Sequence, residues 1–106
     1  MKRTITWAAL FVLAAGTETV CAQGVGGLLK GGEIAQRICA ECHAVHKGQR
    51  QSPNAQAPTF ETVASTPGMT TIALTAVLRT SHRAMPNIIL DPDDQKDIIA
   101  YILSLK

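Results

Sequence analysis

The segment Cys39-Ala40-Glu41-Cys42-His43 constrains this chain more than any other feature of its sequence. Two thiols three positions apart lie on one face of a helical turn, and an imidazole follows directly. Each sulfur can add to one vinyl group of a haem, while the histidine brings a ring nitrogen under the iron. The pentapeptide therefore predicts one haem c bound covalently through Cys39 and Cys42, with His43 as an iron ligand.

Two other chemistries use a Cys-x-x-Cys pair. A thioredoxin-like redox couple belongs at a turn from a strand to a helix, and the sequence shows no strand pattern. A structural zinc site needs a second ligand pair, but no cysteine follows Cys42, and His46 and His82 are too far apart for the usual finger spacing. Haem attachment is the interpretation that uses all three residues of the motif.

The N-terminus has the three parts of a secretory signal peptide. Lys2-Arg3 is a positive n-region, residues 7–15 form a short apolar core, and Val20-Cys21-Ala22 offers small residues for cleavage. The apolar run is far shorter than the ~20 residues that span a bilayer, and the residues before Cys21 resemble a lipoprotein box poorly. The sequence predicts a signal peptide over 1–22, export to the periplasm, and no stable membrane insertion after cleavage.

The rest of the chain is small and poor in large apolar side chains. The whole sequence has 106 residues and a formal charge of +2, and Phe60 and Tyr101 are the aromatic residues that follow the predicted cleavage site. A domain this short buries only about three-fifths of the surface of its unfolded chain and usually needs a staple. A covalently held haem would provide both a staple and a core. No nucleic-acid partner is expected.

Residues 23–30 are glycine-rich without helical period, and we interpret them as a flexible lead-in to a domain at 31–106. The long polar connection from 44 to 69 would be unusual in a compact domain unless it wrapped around a bound group. Periodicity and capping signals predict the helices. These run from about Gly32 to Cys42, for one short turn from Phe60 behind Thr59, from Thr70 to Ser81, and from Pro92 behind Asp91 to the C-terminus.

Together these motifs resemble the bacterial class I cytochromes c, which carry one haem with histidine and methionine ligands. The resemblance covers residues 31–106 and implies an all-α, small cytochrome c fold, with three main helices and long loops wrapped around one covalently bound haem. It rests on Gly31-x-x-x-Ala35-x-x-x-Cys39-x-x-Cys42-His43, Ala57-Pro58-Thr59-Phe60, His82-Arg83-Ala84-Met85-Pro86 and the C-terminal run 100–105.

The resemblance also implies roles for single residues. Pro58 would offer its carbonyl to the His43 ring, which fixes the tautomer of the ligand. Met85 would be the distal iron ligand, with Met69, His46 and His82 as its rivals. Gly31 and Ala35 would meet Tyr101 where the first and last helices cross.

A thioether paired with an imidazole favours ferrous iron and leaves the iron no open position. The sequence therefore predicts an electron-transfer protein and not an enzyme, with redox proteins as partners: a dehydrogenase or reductase as donor, an oxidase or another protein as acceptor. It would be a monomer or part of a small hetero-complex. Alternatives are a haem subunit of a periplasmic dehydrogenase complex and a ligand-binding or peroxidatic haem protein. The basic residues beside the ligand segments either steer an acidic partner or are ordinary solvated charges; they are Lys47, Arg50, Arg79 and Arg83.

Overall fold

Every regular element of the part of the chain that the structure describes is helical. The computed structural model describes residues 19–82 and 84–106. Within these ranges there is no strand, and the predicted all-α fold is confirmed. The predicted signal peptide lies outside the described residues, apart from positions 19–22. The elements are α1 Thr19–Ile34, a π-helical segment Ala35–Cys39, α2 Phe60–Ser65, α3 Thr71–Arg79 and α4 Pro92–Leu103.

Helix α1 begins at Thr19, so the predicted start near Gly32 was wrong. The glycine-rich segment 23–30, expected as a flexible lead-in, is part of this helix. The reason is tertiary, because α1 packs along α4. Lys30 Nζ lies 2.6 Å from Asp94 Oδ1 and 3.7 Å from Asp97 Oδ2. Contacts between the two helices thus outweigh the low helix propensity of glycine. Among the described helices, none has the length and apolar character needed to cross a membrane.

The helix changes from α-helical to the wider π-helical geometry just before the Cys-x-x-Cys motif. The backbone N–H of Ala40 donates to the Ala35 carbonyl oxygen at 2.9 Å, which is the five-residue spacing of a π-helix. The α-helix predicted to run through Cys42 therefore ends as a π-helical segment over Ala35–Cys39, followed by a turn. Short π segments are frequent at functional sites, and this one ends on Cys39.

The hydrophobic core collects residues from all four α-helices. Its most buried large side chains include Ile34 from α1, Leu74 from α3 and Ile98 from α4, each no more than 2% exposed. The predicted caps of the middle helices are confirmed, because Thr59 Oγ1 accepts from Thr62 N and Thr70 Oγ1 accepts from Ala73 N. Helix α4 begins at Pro92 behind Asp91, as predicted.

Helices α1 and α4 pack closely at Gly31, where the sequence predicted that the first and last helices cross. A Cβ atom at this position would overlap the Asp97 carbonyl oxygen and lie 2.7 Å from Tyr101 Cβ. Ala35 is fully buried on the next turn. The absence of a side chain at Gly31 therefore sets how near the last helix comes to the segment that carries the cysteines.

We expect Gly31→Ala to destabilise the haem-loaded protein by about 1–3 kcal/mol, the usual cost of overpacking, because the methyl group would push against the α4 backbone. Gly26→Ala is the matched control in the same helix, since nothing lies within 4 Å of a Cβ atom added there. That variant should be neutral or gain up to about 1 kcal/mol in helix propensity. Urea unfolding measures both, and equal stability of the two variants would contradict the close crossing.

Candidate functional site

The motif of two cysteines and a histidine folds into a single turn. The Cys39 carbonyl oxygen accepts from the Cys42 N–H at 3.1 Å and from the His43 N–H at 2.9 Å. Both thiols are free and half-buried, and His43 is half-buried beside them. The turn therefore holds the two sulfurs and the imidazole close together in the chain, as attachment of a flat group at three points requires.

Burial raises the pKa of the Cys39 thiol to about 11. The side chain packs against the hydrophobic core, where its ionised form would lose solvation. Cys39 is therefore a neutral thiol near neutral pH, unlike the low-pKa nucleophile of a thioredoxin-like couple. This environment suits a cysteine that is alkylated once and then buried.

The His43 ring is held by a backbone carbonyl from a distant segment. Its Nδ1 lies 2.7 Å from the Pro58 carbonyl oxygen. A carbonyl can only accept a hydrogen bond, so Nδ1 is the protonated nitrogen and Nε2 keeps its lone pair. Such a bond fixes both the tautomer and the direction of a metal-binding imidazole. The structure thus brings together Cys39, Cys42, His43 and Pro58.

Phe60 completes the surroundings of this histidine, a role that no motif in the sequence indicated. Its ring centroid lies 5.4 Å from that of His43, with the planes tilted by 44°. Its backbone N–H donates to the Ala44 carbonyl oxygen at 2.9 Å. The sequence feature that could have indicated this contact is the position of Phe60, two residues after Pro58 in a domain with few aromatic residues.

Side chains, and not regular structure, hold the connection that follows His43. The Ala44 N–H donates to Ser52 Oγ at 2.9 Å, and the Gly48 N–H donates to Glu61 Oε2 at 2.8 Å. Gly48 has φ +82°, a conformation that a side chain would strain. Ala44 and Val45 are buried at the start of this connection. Hydrogen bonds at Ala44 and at Gly48 therefore hold both ends of the short stretch that follows the histidine.

Met85 lies on another segment, the connection between α3 and α4. Its N–H donates to the His82 carbonyl oxygen at 3.2 Å, and its side chain is half-buried. Met69, the rival methionine, packs against the hydrophobic core, and Met85 is not among the residues that do so. Packing against the core accounts for the position of Met69. The neighbouring Arg83 lies outside the described residues.

Tyr101 ties the last helix to the loop that follows the histidine. Its hydroxyl donates to the Val45 carbonyl oxygen at 2.8 Å and lies 3.5 Å from His46 Nδ1. Partial burial raises the pKa of this phenol above its ordinary value of 10.0. At a pH above that ordinary value, the unfolded phenol ionises while the folded one keeps its proton. The contribution of the neutral phenol to folding stability is therefore complete below the pKa of Tyr101 in the unfolded chain, and it is lost as pH rises through the pKa of Tyr101 in the folded protein.

Tyr101→Phe should remove this pH dependence and cost about 0.5–1.5 kcal/mol near neutral pH, the usual net worth of one hydrogen bond. We expect urea midpoints of the haem-loaded wild type to decline more steeply than those of the variant as the pH rises above about 10. Other groups that titrate in this range, such as Lys30, are common to both proteins and cancel in the comparison. Parallel curves would show that the folded phenol ionises as freely as the unfolded one.

Known proteins are similar to this chain over the part that carries the candidate site. The model of a protein family described as cytochrome c oxidase, cbb3-type, subunit III matches residues 27–102. Cytochrome c-552 of Bradyrhizobium diazoefficiens is 38% identical to the chain over 76 residues, which is 72% of this chain and 72% of that protein. No solved structure matches the chain at a significant level. The matched range 27–102 includes both cysteines of the motif, His43, Pro58 and Met85.

Proposed function

Because the chain belongs to the c-type cytochrome family that the cbb3-type subunit III model describes, we propose that it carries single electrons through a haem bound covalently by Cys39 and Cys42 and ligated by His43 and Met85. The observation that carries the proposal is the 2.7 Å hydrogen bond from His43 Nδ1 to the Pro58 carbonyl oxygen. It leaves Nε2 unprotonated, which is the state that an iron ligand needs.

The residues of the motif fit a haem. Both thiols are free and only half-buried, so each is available for a thioether bond, and the turn keeps His43 beside them. The haem, when bound, supplies the one-electron couple between ferric and ferrous iron. His43 and Met85 would hold the iron. The soft thioether of Met85 would favour the reduced metal, and two protein ligands would leave no position for a substrate. This ligand set supports electron transfer and not catalysis.

We place the protein in the periplasm, after removal of residues 1–22. The charged n-region, the short apolar core and the small residues before Gln23 support export. Redox proteins are its partners, with a dehydrogenase or reductase as donor and an oxidase or another redox protein as acceptor. A free carrier should elute near its monomer mass when native extract is separated by size. Elution with a dehydrogenase would instead identify the chain as a subunit of that complex.

The experiment that tests the function is expression of the full chain with a haem-attachment system, followed by mass and absorption measurements. We expect the mass of the polypeptide from Gln23 plus one haem, a symmetric α band in the reduced protein, and a weak near-infrared sulfur-to-iron band in the ferric protein. A polypeptide without attached haem would overturn the covalent site. A missing near-infrared band together with rapid binding of carbon monoxide by the reduced wild type would overturn the methionine ligand.

A further inference from the structure

We propose that Phe60 is a positioning residue, which sets the rotation of the His43 imidazole about the axis through its iron-binding nitrogen. The inference rests on the proposed function in one respect, namely that His43 ligates iron. It concerns the plane of the ligand ring, which the choice of ligand alone does not determine.

The hydrogen bond to Pro58 limits this rotation without fixing a single ring plane. Nδ1 lies to one side of the axis through Nε2 and the far edge of the ring, so a large rotation would carry its N–H away from the carbonyl, whereas a small rotation moves it little. Carbonyl oxygens also accept hydrogen bonds over a broad range of directions. The 2.7 Å contact to Pro58 therefore excludes large rotations but tolerates a range of ring planes.

The Phe60 ring can narrow this range of planes. It lies 5.4 Å from the His43 ring, centroid to centroid, at an angle of 44°, which is within the range of direct aromatic contact. Rotation of the imidazole would bring its edge into this neighbour or open a gap beside it. Phe60 is 5% exposed and belongs to the hydrophobic core, so close packing prevents it from moving aside.

The backbone around Phe60 makes the arrangement rigid. The Phe60 N–H donates to the carbonyl oxygen of Ala44, the residue directly after His43, at 2.9 Å. Thr59 caps α2 by accepting from the Thr62 N–H at 3.1 Å, so Phe60 begins the helix in a defined conformation. The run 58–60 thus contacts the histidine segment through a carbonyl, a ring and an amide. Together these contacts fix the ring position, the ring plane and the backbone.

Ferric haem-loaded protein tests the inference through signals that report the planes of the axial ligands. These signals are the g values in electron paramagnetic resonance and the order and spread of the haem-methyl resonances in proton NMR. Phe60→Leu keeps an apolar side chain but removes the ring, and we expect it to change both signals while the attached-haem mass and the near-infrared band persist. Phe60→Tyr keeps the ring and should restore the wild-type pattern. If Phe60→Leu does not accumulate, Phe60→Met replaces it, with the same expectation.

Ile99→Ala is the control for general loosening of the core, because Ile99 in α4 is 3% exposed and in the same hydrophobic cluster. It should lower the unfolding midpoint and leave the magnetic signals unchanged. Wild-type signals in Phe60→Leu, or equal changes in Ile99→Ala, would overturn the positioning role while leaving electron transfer intact. A wild type without attached haem or without the near-infrared band would instead contradict the proposed function.

Discussion

Replacing both Cys39 and Cys42 with alanine should yield an exported chain that is largely unfolded and carries no attached haem. The hydrophobic core of the described residues is small, and Cys39 itself packs against it. A chain of this size has little folding free energy to lose, on the order of 5 kcal/mol at the lower end for single domains. Removing the covalent haem that we propose for its interior is expected to consume that margin. Far-UV circular dichroism and limited proteolysis of the exported protein measure the effect.

Cys21→Ala is the matched control for this double variant. Its position lies within the predicted signal peptide, so the mature protein should keep its haem, mass and stability. A double variant that is compact and resists protease would show that the polypeptide folds without the staple. A change of mature mass or haem content in Cys21→Ala would place the cleavage site elsewhere.

Replacing Met85 with alanine should keep the covalent haem and change its ligation. The thiols and His43 lie on a different segment from Met85, so attachment does not depend on this side chain. Loss of a thioether ligand removes the preference for the reduced metal, and we expect a fall in midpoint potential on the order of 100 mV within the ~0.8 V range that axial ligands set. The near-infrared band should disappear, and the reduced protein should bind carbon monoxide rapidly. Potentiometric titration and absorption spectra measure these changes.

Met69→Ala separates ligation from packing. Met69 is half-buried against the core, so its truncation should cost about 1–2 kcal/mol, less than the 2–5 kcal/mol of a fully buried methionine. Its potential and near-infrared band should match those of the wild type. An unchanged potential in Met85→Ala, or a lost band in Met69→Ala, would move the second ligand away from Met85.

The features that could be predicted from the sequence depend on neighbours in the chain. Thr59 and Thr70 cap their helices because a short hydroxyl side chain can reach an N–H three residues ahead. Pro92 begins α4 because its fixed φ suits a first helical position and its missing N–H costs nothing there. The all-α fold followed from such local signals together with the resemblance to the class I cytochromes c.

Other features depended on partners far away in the sequence. Residues 23–30 are helical because α4 lies beside them, although their composition by itself favours a flexible segment. The link between Tyr101 and the Val45 carbonyl joins positions that no periodic pattern relates. Packing against α4 overrode the low helix propensity of residues 23–30, and local propensity carried no information about the Tyr101–Val45 hydrogen bond. Both contacts exist only once the helices have packed.

The sequence by itself determined which atoms can hold a haem, because two thiols and an imidazole on one turn are a matter of spacing in the chain. Only the tertiary structure decided how the imidazole is held. Pro58 and Phe60 reach His43 across 15 and more positions, and their contacts depend on where α2 begins. The tautomer of His43 and the contact that limits its ring plane are set by this packing, because a hydrogen-bond acceptor and a neighbouring ring act through distance and angle, which the order of residues alone does not specify.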